Sequence, residues 1–176
     1  MAKIQLNAAS GGGSVAFEGP ASLGSDKIIK FPTAPSVIIQ QVTASTQTRT
    51  NRGSNSGVFT NTALAASITP TSANSKVFVQ VFGTYRSDDS STSGALSINR
   101  GSTNLGHSSR GLVSFFVSSS FNRVGPVSMG ILDSPSTTSS TTYTVTIART
   151  TGPHSVFFPQ SDNEDPGIII LSEVAT

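Results

Sequence analysis

The sequence contains no cysteine and no tryptophan, and only two histidines and two tyrosines among its 176 residues. Without thiols there is no disulfide framework, no thiol metal site and no cysteine nucleophile, and redox compartment is unreadable. Without tryptophan, few ring platforms remain for stacking a sugar. Charge is scarce too. Lys, Arg, Asp and Glu make up 11% of the chain, well below the roughly 25% of ordinary soluble domains, so Ser, Thr, Asn and Gly must supply the polar surface. Eleven basic and nine acidic residues sum to +2 with no basic run, which argues against a surface that tracks nucleic-acid phosphates. No apolar stretch approaches the 18 residues of a membrane helix, and Met1 to Gly13 lacks the apolar centre of a secretion signal. The expectation is a protein made in a cytosol, without membrane insertion.

What is present suits strands. Thr and Val favour extended chain, and Gly, Pro, Asn and Ser favour turns, whereas helical surfaces draw on Lys, Glu and Arg. Turn signals recur from Pro70 through Asn74, Gly83, Gly94, Gly101, Gly111, Gly125-Pro126, Pro135 and Gly152-Pro153 to Pro166-Gly167. That is close to the spacing of about 8 to 12 residues seen in antiparallel sandwiches and barrels. No segment of helical length shows helical periodicity with caps. The length accommodates one β-sandwich and a short additional segment.

From Ser36 onward the strands follow one another regularly. Val37 to Val42 reads as a buried strand, followed by a long polar stretch from Thr43 to Gly57. In Lys76 to Phe82, valines take one face while Phe78 and Phe82 flank Gln80 on the other, so both faces are expected to be covered and the strand central. Leu96 and Ile98, like Tyr143, Val145 and Ile147, alternate with polar residues, as half-buried outer strands do. Val113 to Val117 and the region of Val127 and Met129 add further strands, and Ile168 to Leu171 reads as a buried closing strand.

Before Pro35 the pattern is thinner. Ile4 and Leu6, Val15 and Phe17, and Ile28 and Phe31 sit in short strand-like pieces broken by Gly11-Gly12-Gly13. A segment with so little apolar material pairs with a neighbour rather than closing its own core. These six residues are candidates for attachment to a partner, with residues 1–35 as an arm and 36–176 as the domain; simple edge strands added to that domain are the alternative.

Four phrases carry a family resemblance: FTNTALAASITPTSANSKVFV (59–79), GALSINRGSTNLG (94–106), LDSPSTTSSTTYTVTI (132–147) and PGIIILSEVAT (166–176). They resemble a jelly-roll domain of structural proteins in tailed bacteriophages, marine and cyanobacterial ones in particular. With the strand before Thr43 the phrases are spread over about the last three quarters of the chain. It implies an all-β, antiparallel jelly-roll β-sandwich, similar to the tumour-necrosis-factor type, that forms homotrimers with the C-terminal strand near the axis. Phe78, Phe82, Ile168 and Ile170 are then the expected trimer seam, and a major capsid or tail protein of the particle the expected partner. The opening, from Ile4 to Pro32, resembles that of phage fibre proteins, but no room follows it for a shaft. A short head fibre, a knob or a capsid decoration protein on the virion surface fits better. In LDSPSTTSSTTYTVTI the first strand and the second are expected to pair as a hairpin.

Chemistry finds little support. His107 lies in a Gly/Ser turn and His154 follows Gly152-Pro153, neither with a carboxylate at ligand spacing; no Gly-x-Ser-x-Gly elbow occurs, and Gly11 to Gly13 lacks the Lys-Ser/Thr of a phosphate loop. Asp88-Asp89 and the cluster Asp162, Glu164 and Asp165 offer hard oxygen ligands, but not at calcium-loop spacing, and solvated loops are the plainer reading. Arg49, Arg52, Arg86, Arg100, Arg110 and Arg123 are either surface charges or cross-subunit partners. Phe115-Phe116 and Phe157-Phe158 are adjacent pairs, so one member of each must face away from its sheet's core. No cofactor, metal or enzymatic activity is expected. A module binding a host-surface glycan is the second reading, since jelly rolls also host lectins.

Overall fold

Alternation decides the local structure. Val77, Val79 and Val81 are completely buried while Phe78, Gln80 and Phe82 between them point the opposite way, the period of two that only extended chain produces. The computed structural model describes residues 3–7, 14–18, 37–53, 57–88, 91–118, 122–160 and 164–175, the first two spans by backbone alone. The described elements are strands: β1 (Lys3–Asn7), β2 (Ser14–Glu18), β3 (Ile38–Thr46), β4 (Thr50–Arg52), β5 (Thr60–Ile68), β6 (Lys76–Ser87), β7 (Thr92–Arg100), β8 (Thr103–Asn104), β9 (Val113–Val117), β10 (Arg123–Asp133), β11 (Thr141–Thr151), β12 (Val156–Phe158) and β13 (Gly167–Val174).

The chain divides into residues 1–34 and 35–176. In the first unit, β1 and β2 pair antiparallel, with Ile4 opposite Phe17 and Leu6 opposite Val15. Ile28 and Phe31 lie outside the described residues.

The second unit is an antiparallel β-sandwich of jelly-roll type. Sheet 1 runs β3-β13-β6-β10, and sheet 2 runs β5-β11-β7, with β8 and β9 both against β7. The chain passes from sheet to sheet (β5 to β6, β6 to β7, β9 to β10, β10 to β11), so neighbours within a sheet come from distant sequence. β6 is the spine of sheet 1. β10 follows one of its edges from Val77 to Ser87, while the other edge is shared, β13 taking Lys76 to Phe82 and β12 taking Arg86 and Ser87. Phe158 fills the junction where β13 ends and β12 begins. Its ring lies against Gly83 and Gly167, where a Cβ would stand 2.9 Å and 3.2 Å from it.

The core lies between the sheets. Val77, Val79, Val81, Ile169 and Leu171 of sheet 1 meet Leu64, Ile68, Leu96, Ile98, Tyr143, Val145 and Ile147 of sheet 2. Fully burying an aliphatic side chain of this size stabilises by roughly 1.5–3 kcal/mol, which explains why the inward rows are mainly apolar in a sequence otherwise rich in Ser and Thr, with Thr62 and Glu173 as buried polar members.

Several expectations need correction. The segment from Val37 is not a buried strand: β3 is an edge, and Ile38 is 59% exposed. The stretch from Thr43 is not wholly loop, because β3 continues to Thr46 and β4 follows. The continuation of β3 was hidden because its outward positions, Gln41, Thr43 and Ser45, are polar and its inward ones past Val42 are only Ala44 and Thr46. β7 and β11 are not outer strands; they sit mid-sheet, between β5 and the β8/β9 edge. The strands around LDSP are not a hairpin either. β10 pairs with β6 and β11 pairs with β5 and β7, so the Ser/Thr-rich link crosses between sheets.

Candidate functional site: the open faces of the two sheets

Each sheet has one face on the core and one face away from it, and the two outward faces differ in chemistry. On sheet 1 the register sets Ile168, Phe82 and Ser128 in one row, Ile170, Gln80 and Gly130 in the next, and Ser172, Phe78 and Leu132 in the third. Phe78 and Phe82 are each 37% exposed, Leu132 is 52% exposed, and Ile168 and Ile170 are half-buried. All four residues expected at an assembly seam therefore share one outward face. The expectation that this face is covered does not hold within the single chain. Gly130 keeps its middle row low, because a glycine opposite Gln80 adds no side chain between the aromatic rows.

Leu132 was missed by sequence reasoning although the signal is there. Val127, Met129 and Ile131 pack inward, so the alternate residues Ser128, Gly130 and Leu132 must face out.

The outward face of sheet 2 is polar and small. Asn61, Ala63, Ala65 and Ser67 of β5 are exposed beside Thr142 and Thr144 of β11, and Ser67 and Thr142 share a 2.7 Å hydroxyl hydrogen bond. The exception is Phe116, 64% exposed. Its neighbour Phe115 turns inward and stacks on Tyr85, with ring centroids 3.8 Å apart and planes within 16°. Both rings lie over cross-strand glycines. Gly125 is opposite Tyr85 and Gly94 opposite Phe115; a Cβ at Gly125 would come 2.5 Å from the Tyr85 ring, and one at Gly94 would overlap Phe115. In the other adjacent pair, Phe158 faces inward and Phe157 is covered locally by the guanidinium groups of Arg49 and Arg86, 5.0 Å and 5.2 Å from its centroid.

The charged residues are mostly engaged within the chain. Arg100 reaches both oxygens of Asp133 at 2.8 Å, and Arg86 meets Asp88 at 2.6 Å. Asp165 accepts from Gln160. Asp89 and Asp162 lie outside the described residues. Among the described residues no three His, Asp or Glu side chains gather as metal ligands. His107 closes a tight turn, and the backbone N–H of His154 donates to Thr92 Oγ1 at 3.3 Å.

Among the described residues two ionisable groups are strongly perturbed. The Tyr143 phenol is pushed well above its ordinary value by burial, then by its hydrogen bond to Asp133 and by that carboxylate's charge, with Arg100 opposing. Burial would raise Glu173 as well. Hydrogen bonds from Gln40, Ser75 and Thr71 outweigh it and hold the carboxyl at about 2. Gln40 Nε2 donates to Oε2 at 2.6 Å, and Thr71 donates both its backbone N–H and its hydroxyl to Oε1 at 2.8 Å. This carboxylate ties β13 and β3 to the β5–β6 turn. Its role is structural, since every donor around it belongs to the fold.

Comparison with protein-family models and with curated proteins finds no match for this chain.

Proposed function

We propose that the chain is a non-catalytic structural protein of a tailed-phage particle, a surface appendage that assembles with copies of itself, as a trimer, through the outward face of sheet 1. One observation carries the assembly part. Of two solvent-facing sheet surfaces, one gathers Phe78, Phe82, Leu132, Ile168 and Ile170 around Gln80, and the other is lined by Ser, Thr, Asn and Ala with the single exposed ring of Phe116. A contiguous apolar face with a polar counterpart is the pattern of a surface that is covered in the working state. The phage assignment is supported by the resemblance of the four phrases above, and residues 1–35 are the part offered to a capsid or tail partner.

The test has two arms. The molar mass of the purified chain, measured by light scattering, is expected to be that of a trimer. Added to particles lacking it, the chain is expected to bind them. A monomeric mass at all accessible concentrations, together with failure to bind, overturns the proposal.

A further inference from the structure

On sheet 2, opposite the apolar face, lies an open hollow of about 270 Å³ lined by Ser93, Ser109, Arg110, Ser114, Phe115, Phe116 and Thr150. We propose that it binds one acidic sugar residue, with the Phe116 ring as platform, the hydroxyls as partners for the sugar's own, and Arg110 on its carboxylate.

The walls are held in place. Ser109 and Arg110 sit on a turn closed by reciprocal backbone hydrogen bonds, His107 N–H to Gly111 O at 3.1 Å and Gly111 N–H to His107 O at 2.8 Å. Within it the Ser109 N–H donates to His107 Nδ1 at 3.2 Å. Gly111 is required there: its φ is +61°, and a Cβ would overlap the Leu96 carbonyl. The base of this turn is anchored by Asn104, whose Oδ1 accepts from Ser97 Oγ at 2.5 Å and from the Gly106 N–H at 2.9 Å. On the floor, Thr151 Oγ1 donates to Ser93 Oγ at 2.8 Å, fixing that hydroxyl.

Phe116 is positioned by its neighbour. Phe115 turns in to stack on Tyr85 above Gly94, and a strand must then send the next side chain out. The result is an exposed ring beside four hydroxyls and a guanidinium. Among the described residues Arg110 makes no ion pair. The chemistry fits a pyranose carrying a carboxylate: C–H groups of one ring face lie on the aromatic face, vicinal hydroxyls exchange hydrogen bonds with Ser and Thr, and a planar guanidinium matches a carboxylate fork. The hollow is smaller than the roughly 300–1,000 Å³ of drug-sized sites, so it takes one residue and leaves the remaining oligosaccharide in solvent. Nothing in this proposal depends on the assembly through sheet 1.

An array of immobilised uronic-acid and sialic-acid oligosaccharides, each beside its carboxyl-reduced form, tests it with the full chain. At least one acidic glycan is expected to be retained, and its reduced form to bind about tenfold more weakly. Phe116→Ala is expected to weaken binding of both forms about tenfold, while Arg110→Gln removes the preference for the acid without abolishing residual binding. Both side chains are exposed, so circular dichroism and melting temperature should match the parent chain. Retention of no glycan, equal retention of acid and reduced forms, or unchanged binding by Phe116→Ala overturns the proposal.

Discussion

The Tyr143 hydroxyl donates a 2.7 Å hydrogen bond to Asp133 Oδ2, joining a completely buried phenol of sheet 2 to the last residue of β10 in sheet 1. Arg100, directly opposite Tyr143 on β7, grips the same carboxylate. Three strands from two sheets thus converge on Asp133, whose side chain is only 10% exposed.

Removing the two ends of this relationship should differ in severity. Tyr143→Phe keeps the ring and loses one hydrogen bond, at a cost of about 1 kcal/mol. Asp133→Ala strands both a buried hydroxyl and a partly buried guanidinium, and should cost about 2–4 kcal/mol. Urea unfolding midpoints of the two variants against the parent check the order. Equal effects would mean the carboxylate does not link the sheets.

The same phenol sets an alkaline limit. Its folded pKa is raised, so the stability that the neutral form contributes is complete below the ordinary value of 10.0 and declines as pH rises beyond it. Tyr143→Phe should therefore lose less stability than the parent between pH 10 and the point of alkaline unfolding, read from urea midpoints across that range.

Glu173 works in the opposite direction. Its folded pKa, about 2, lies below the ordinary 4.5, so its contribution is complete above pH 4.5 and is lost as pH falls toward 2. Glu173→Gln should cost about 1–3 kcal/mol at neutral pH, because the amide cannot accept from both Thr71 donors and Gln40 as the carboxylate does. It should also flatten the acid limb of the stability curve. A parent curve with no slope between pH 5 and 2 would contradict the assigned network.

Gly94→Ala and Gly125→Ala test the aromatic stack. Each added methyl meets a ring that is itself pinned against the other, so each variant should cost about 1–3 kcal/mol, as overpacking does. Alanine at Gly101, where a Cβ would meet nothing within 4 Å, removes only the comfort of a positive φ and should cost less than either. Thermal melts of the three variants provide the comparison.

On the open face of sheet 1, Phe82→Ser and Ile170→Ser should barely change the stability of an isolated subunit, since neither side chain packs into the core. They should lower the molar mass of the assembled chain. A loss of folding in place of a loss of assembly would place these residues in the core instead.

Alternation made much of this fold legible. Val77, Val79 and Val81 announced both the spine strand and its buried face, and the same period set Phe78 and Phe82 together on the opposite face; their grouping with Ile168 and Ile170 came from the family resemblance, and the register places all four on one outward surface. Connectivity was less legible, because strand pairing depends on contacts between distant segments that no local pattern encodes. The link after Asp133 looks like a hairpin turn, yet it carries the chain across the sandwich. The hollow on sheet 2 was not legible at all. Ser93, Arg110, Phe116 and Thr150 are ordinary loop and strand residues until β7, β9 and β11 bring them together.

The position of β13 between β3 and β6 also governs when the molecule can be finished. Among the described strands β3, made early, pairs only with β13, so while the ribosome is still adding everything from Thr50 to Pro166 that strand has no described ladder to join. Its unpaired edge, ending in the exposed pair Ile38 and Ile39, is open to stray neighbours throughout that interval. Yield in a producing cell should therefore respond to slower growth temperature and to holding chaperones more strongly than the final stability of the sandwich would suggest.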